Sequence, residues 1–129
     1  MKTLIAEDDA SSRVFLHLFL SRYGECDIAV NGKQAVEIIR AARDEHEKYD
    51  LICMDLRMPE MDGQEAMREI RKQEAMAGIF SRRVKIIVTT GLKEVANVNA
   101  ALQGQCDAYL LKPIVLARLL ETLKNLGLM

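Results

Sequence analysis

The sequence has no apolar run long enough to cross a membrane, no concentrated basic stretch, only two histidines and only three cysteines among its 129 residues. Each scarcity excludes something. A membrane helix needs about 20 consecutive apolar residues, and the opening MKTLIAEDD reaches acidic residues before it can build the apolar core of a secretory signal. The expected compartment is therefore the cytoplasm. Eighteen Lys+Arg against 19 Asp+Glu leave a net charge of −1. Nucleic-acid binding through phosphates needs a concentrated positive face, so neither nucleic acid nor membrane is an expected partner. Cys26, Cys53 and Cys106 are odd in number, widely spaced and set in apolar surroundings, the pattern of free thiols in a reducing compartment. His17 and His46 have no Cys or His at ligand spacing, which argues against zinc. There is no internal repeat and no linker rich in Pro, Gly and Ser. A chain of this length buries roughly 68% of its unfolded surface, so residues 1–129 are expected to form one domain. Any catalytic or output function beyond it is expected from another chain.

What is present is a strict alternation. Short apolar runs at Thr3–Ala6, Cys26–Val30, Leu51–Met54, Val84–Val88 and Ala108–Leu111 predict five strands. The third and fourth are apolar at most positions, as expected for parallel strands covered on both faces. Between the strands, helical spacing places Val14, Phe15, Leu18 and Phe19 on one face of a first helix and Ala35, Ile38, Ile39 and Ala42 on a second. Ala66, Met67 and Ile70 predict a third, Val95, Val98 and Leu102 a fourth, and Leu116, Leu119, Leu120 and Leu123 a last. Asn31 stands three residues before Gln34 and Asp62 three before Glu65, both in the manner of a capping box. The loosest connection is Gln73 to Arg83. Such alternation implies an α/β fold: a doubly wound five-stranded parallel sheet with right-handed crossovers and helices on both faces. With strand order 2-1-3-4-5, ligands bind beyond the carboxyl ends of the strands, at the crevice between the first and third.

The strand ends therefore carry the function. The first ends in Glu7-Asp8-Asp9, the third in Asp55, the fourth in Thr89-Thr90 and the fifth in Lys112-Pro113. Glu7, Asp8 and Asp55 would repel one another unless protonated or bridged by a cation. Oxygen donors without thiol or imidazole favour a hard divalent ion, and Mg²⁺ is the usual one where a phosphate completes the shell. Lys112 and Thr89 add an ammonium and a hydroxyl suited to the oxygens of a transferring phosphoryl group. An Asp carboxylate can attack phosphorus, which makes Asp55 the candidate nucleophile. Singly, each acid is most simply a helix cap or a solvated loop residue, Lys112 a loop lysine and Thr89 a β-branched strand residue. Five suitable side chains at one predicted edge are harder to explain in that way.

LIAEDD, MDLRMPEMDG around Asp55, VTTG with Thr89 and AYLLKP with Tyr109 and Lys112 stand in an order that resembles the receiver domains of two-component response regulators. The similarity runs from about Lys2 to Leu126 and implies the flavodoxin-like arrangement. It further implies that Asp55 accepts a phosphoryl group from a phosphohistidine of a sensor histidine kinase or a histidine phosphotransfer protein. Mg²⁺ would be held by Asp8, Asp55 and the carbonyl of Arg57, with Glu7 acting through water. Lys112 would contact the phosphoryl group and Thr89 would move toward it. Tyr109, by itself a partly buried strand aromatic, would swing inward behind Thr89 as part of the switch. A cis bond before Pro113 belongs to the same pattern. The chain ends after the last predicted helix, so the resemblance implies a stand-alone switch read by a downstream effector protein, as a monomer or a phosphorylation-dependent dimer. It assists its own phosphorylation and dephosphorylation but is not otherwise an enzyme.

Three departures bear on chemistry. Thr90 stands where the family prefers a smaller residue, and Arg57 projects from a variable position two after the phosphoacceptor; both narrow the route of an attacking water, so slow self-dephosphorylation is expected. Glu7 replaces a shorter Asp, a variation the family tolerates. Other readings compete. A flavin domain could share the strand order, but Glu-Asp-Asp in the first loop repels phosphate. An aspartyl-nucleophile phosphatase would carry Asp-x-Asp at the end of the first strand, a spacing that Glu7-Asp8-Asp9 lacks. The remaining alternative is a receiver-like module for protein interaction that never accepts phosphate.

Overall fold

The computed structural model describes residues 1–79, 83–91 and 105–129. Its elements run β1 (Thr3–Ala6), α1 (Ala10–Leu20), β2 (Cys26–Ala29), α2 (Gly32–Asp44), β3 (Leu51–Asp55), α3 (Gly63–Met76), β4 (Lys85–Thr90), β5 (Ala108–Leu111) and α4 (Leu116–Asn125). The strands form one parallel sheet in the order β2-β1-β3-β4-β5, as the alternation predicts. The helix expected around Val95, Val98 and Leu102 lies outside the described residues. Among the described residues no helix is long and apolar enough to cross a membrane.

Period-2 alternation sends successive strand residues to opposite faces. Leu4, Ala6, Ile52, Met54, Ile86 and Val88 face α2 and α3, where they pack with Ile39, Met67 and Ile70. Ile5, Cys53 and Ile87 face the other way and pack with Leu16, Leu20, Leu119 and Leu123 of α1 and α4. The face predicted for α1 is half right: Phe19 is buried and Phe15 packs against the core, but Val14 and Leu18 are exposed, and Ser12, Leu16 and Leu20 are buried in their place. Both sets keep helical spacing, and only the position of the sheet decides between them. All three cysteines are free, with Cys53 wholly buried.

Caps set the helix starts. The Asn31 side chain accepts the Gln34 N–H at 2.7 Å and that of Asp62 accepts the Glu65 N–H at 2.9 Å, as the spacing predicts. Gln34 reaches back to the Val30 N–H at 2.8 Å. That bond explains why β2 stops at Ala29 instead of Val30. β4 is shifted for a similar reason: the Val84 N–H donates to Glu74 Oε2 at 2.9 Å and its carbonyl accepts from Arg71 Nη1 at 2.8 Å, so the strand begins at Lys85. The stretch from Gln73 is not loop at its start, because α3 continues to Met76.

Candidate functional site

Strand register brings the site together. Asp55, the last residue of β3, pairs with Thr89 of β4. Ala6 pairs with Met54, so Glu7 follows at the level of Asp55. Thr90 pairs with Leu111, and the Lys112 N–H donates to the Thr90 carbonyl at 2.7 Å, which carries Lys112 to the same edge. The Lys112–Pro113 bond is cis. Below β3 the chain turns into α3 through a contact that only glycine allows. A Cβ on Gly63 would lie 2.1 Å from the Asp55 carbonyl oxygen, while the Gly63 N–H donates to the Leu56 carbonyl at 3.0 Å.

Lys112 Nζ lies 3.1 Å from Asp55 Oδ2 and also makes a short ion pair with Glu7 Oε1. The Thr89 hydroxyl donates to the other Glu7 oxygen, Oε2, at 2.9 Å. Asp55 Oδ1 accepts the Arg57 backbone N–H at 3.1 Å. Glu7 and Thr89 are wholly buried and Asp55 is 5% exposed. A buried carboxylate is tolerated only where partners replace its water. Burial raises the Glu7 pKa, the bond from Lys112 opposes that rise and the Asp55 charge adds to it. Burial pulls Lys112 down, but its bond to Glu7 and the charges of Glu7 and Asp55 outweigh this, so its pKa is raised and the ammonium form is secured.

Asp8 is placed differently. It is exposed and lines an open cleft of about 560 Å³ with Leu56, Arg57, Met58, Asp62 and Gln64. Glu7, Asp8 and Asp55 thus reach one strand edge, yet among the described residues no three His, Cys, Asp or Glu side chains converge as a metal cage. Lys112 is the cation that bridges Glu7 and Asp55 here. The donor chemistry still suits a hard ion, because the carboxylates of Asp8 and Asp62 line the cleft that Arg57 also borders, with no Cys or His among its lining residues. Asp9 is a helix cap, accepting from the Ser12 N–H at 3.2 Å and the Ser12 hydroxyl at 2.6 Å. Thr90 is buried, and Tyr109 is 45% exposed on β5. One participant escapes sequence reasoning: Arg13 Nη1 donates to the Glu7 carbonyl at 3.2 Å and steadies the backbone of the buried acid. Its spacing, about one turn into α1 from the acidic group, is the available signal. A second hollow, of about 360 Å³, lies between the ends of α2 and α3, lined by Ile39, Ala42, Tyr49 and Val84; it holds none of these groups.

A carboxylate beside a fixed ammonium, with a hydroxyl on the neighbouring strand, is an arrangement suited to receiving a phosphoryl group. Comparison with known proteins identifies the family. The model of the response regulator receiver domain matches residues 3–124. The sensory/regulatory protein RpfC of Xanthomonas campestris pv. campestris is 31% identical over 127 residues, 98% of this chain but 16% of that protein. The chain thus spans about a sixth of that relative. A co-crystal structure of the Saccharomyces cerevisiae histidine phosphotransfer signaling protein Ypd1 with the receiver domain of its downstream response regulator Ssk1 contains a chain that is 31% identical. It superposes with a TM-score of 0.83, over 98% of this chain and 88% of that one. The REC domain of AraT, a response regulator from Geobacillus stearothermophilus, is 30% identical with a TM-score of 0.79, over 96% of this chain and 90% of that one. Fold, strand-end chemistry and the match over nearly the whole sequence agree: this chain belongs to the response regulator receiver domain family.

Proposed function

We propose that residues 1–129 act as a single cytoplasmic receiver unit in which Asp55 accepts a phosphoryl group from a phosphohistidine of a sensor histidine kinase or a histidine phosphotransfer protein. The observation that carries this reading is Lys112 Nζ at 3.1 Å from Asp55 Oδ2, in a nearly buried site formed by four strand ends. A Asp55 oxygen attacks phosphorus, the N–P bond of the donor breaks, and the imidazole keeps the electron pair and takes up a proton. Lys112 holds the Asp55 carboxylate in place and offers its one remaining N–H donor to a phosphoryl oxygen. Thr89 supplies a hydroxyl on the neighbouring strand. Mg²⁺ would be held by Asp8, Asp55 and the Arg57 carbonyl, with Glu7 through water, and when bound supplies charge neutralisation to carboxylates and phosphate.

The added charge then biases a conformational equilibrium already present in the chain. Thr89 and the half-exposed Tyr109 are the residues through which the surface changes, and a downstream effector reads it. This is a phosphoacceptor switch that assists its own phosphorylation and dephosphorylation, not an enzyme turning over a separate substrate. The partner class is supported by the receiver of Ssk1, which is crystallised with a phosphotransfer protein.

The test is intact mass after incubation with acetyl phosphate, with Mg²⁺ or with EDTA, for the wild type and Asp55→Asn. A Mg²⁺-dependent, base-labile gain of one phosphoryl group in the wild type alone is the expected result. No gain by a folded, metal-binding protein would overturn the reading in favour of a docking module that works without phosphate.

A further inference from the structure

We propose that Glu7 is a latch that holds Thr89 in the resting state, so that phosphorylation must exchange a carboxylate for the phosphoryl group at that hydroxyl. The inference rests on Asp55 being the phosphoacceptor and adds the regulation of that site. Glu7 divides its two oxygens between the two groups that a phosphoryl group needs: Oε1 takes the Lys112 ammonium and Oε2 the Thr89 hydroxyl, the latter at 2.9 Å. These two contacts differ in kind. An ammonium has three N–H donors and can serve Glu7, Asp55 and a phosphoryl oxygen together, whereas a hydroxyl has a single hydrogen. Thr89 therefore donates either to Glu7 or to the phosphoryl group, and the two are exclusive. Since Thr89 and Glu7 are both wholly buried, no water can easily replace either partner.

Reach makes the latch depend on glutamate. The bond is 2.9 Å long, and removing one methylene withdraws the carboxylate by about 1.5 Å, beyond hydrogen-bond range. Glu7→Asp keeps a carboxylate near Lys112 and releases Thr89. A residue that stabilises only the resting arrangement lowers the population of the other one. Glu7 thus sets how far the switch rests in its off state and how strong a phosphoryl signal must be to turn it on.

Two readouts test this. The first is the ¹³C-methyl resonance of Thr89 in the resting, magnesium-free protein, which is expected to shift in Glu7→Asp and to report the broken bond without any phosphorylation. The second is the affinity for beryllofluoride, a phosphoryl mimic, measured at saturating Mg²⁺ after the Mg²⁺ affinity of each variant is known. Glu7→Asp is expected to bind it about tenfold more tightly, equivalent to about 1.4 kcal/mol. Glu7→Gln keeps the reach but weakens the bond. It gives the same direction at smaller size and carries the test where Glu7→Asp does not fold. Beryllofluoride uptake by the wild type with no gain in either variant, or an unmoved Thr89 resonance, overturns the latch alone. Failure of the wild type to take up beryllofluoride overturns the phosphoacceptor reading itself.

Discussion

Arg71 is the residue whose replacement tests the energetics most sharply. It lies buried in the C-terminal half of α3 and makes four donations: Nε to the Gln105 carbonyl at 2.9 Å, Nη1 to Glu74 Oε1 and to the Val84 carbonyl at 2.8 Å each, and Nη2 to Asp107 Oδ2 at 3.2 Å. Arg71→Met keeps most of the apolar stem and removes all four. Glu74 keeps the Val84 N–H at 2.9 Å but loses its cation while only 3% exposed. Breaking a buried pair in this way costs about 3–5 kcal/mol, because the remaining charge is left uncompensated. The arm to Asp107, whose side chain is 22% exposed, adds less than about 1 kcal/mol. A typical domain stability of about 5–15 kcal/mol exceeds this loss over most of its range, so the variant is expected to fold. With a urea m-value of about 2 kcal/mol/M, its midpoint drops by roughly 1.5–3 M. Arg71→Met combined with Glu74→Gln keeps an acceptor for Val84 but removes the stranded charge, so it recovers part of the loss. A loss below about 1 kcal/mol at unchanged m, or a pair less stable than Arg71→Met alone, would show that the cluster is not held by its buried charges.

Two further perturbations follow from single groups. Burial raises the pKa values of Tyr49, Cys53 and Cys106, the last to about 11, while an unfolded thiol ionises near 8.5. The folded state therefore keeps protons that the unfolded state releases. Stability is whole below about pH 8.5 and falls as pH rises toward 11; urea midpoints that stay flat from pH 7.5 to 10.5 would contradict this. Thr90 is 1% exposed, with its hydroxyl 3.3 Å from the Gly91 carbonyl. Thr90→Ala opens space at the end of β4, next to Thr89, and is expected to shorten the lifetime of the aspartyl phosphate, followed by intact mass after removal of acetyl phosphate. An unchanged lifetime removes Thr90 from the control of water access.

Much of the site was legible because the chemistry sits at ends of local elements. Asp55, Thr89 and Lys112 each follow or close an apolar run, and strand-end position in an alternating α/β chain is a property of sequence order. The roles within the acidic group were not legible. Glu7, Asp8 and Asp9 are consecutive, yet one is buried against Lys112 and Thr89, one is exposed beside the cleft and one caps α1. Neighbouring residues diverge in this way because the end of a strand turns successive side chains in different directions, and composition carries no record of that.

Sequence by itself determined the order of elements, the sheet they build and the start of α2 and α3, because periodicity and caps such as Asn31 and Asp62 act within a few residues. Tertiary structure decided what depends on distant partners. It chose which face of α1 is buried, and it placed Asp55 beside Thr89 through strand register. It brought Asp107, just ahead of β5, to the Arg71–Glu74 pair of α3. It also turned Glu7 toward a hydroxyl 82 residues away. Backbone hydrogen bonds and helical spacing are local, whereas register and buried ion pairs are fixed only when the layers close over a common core.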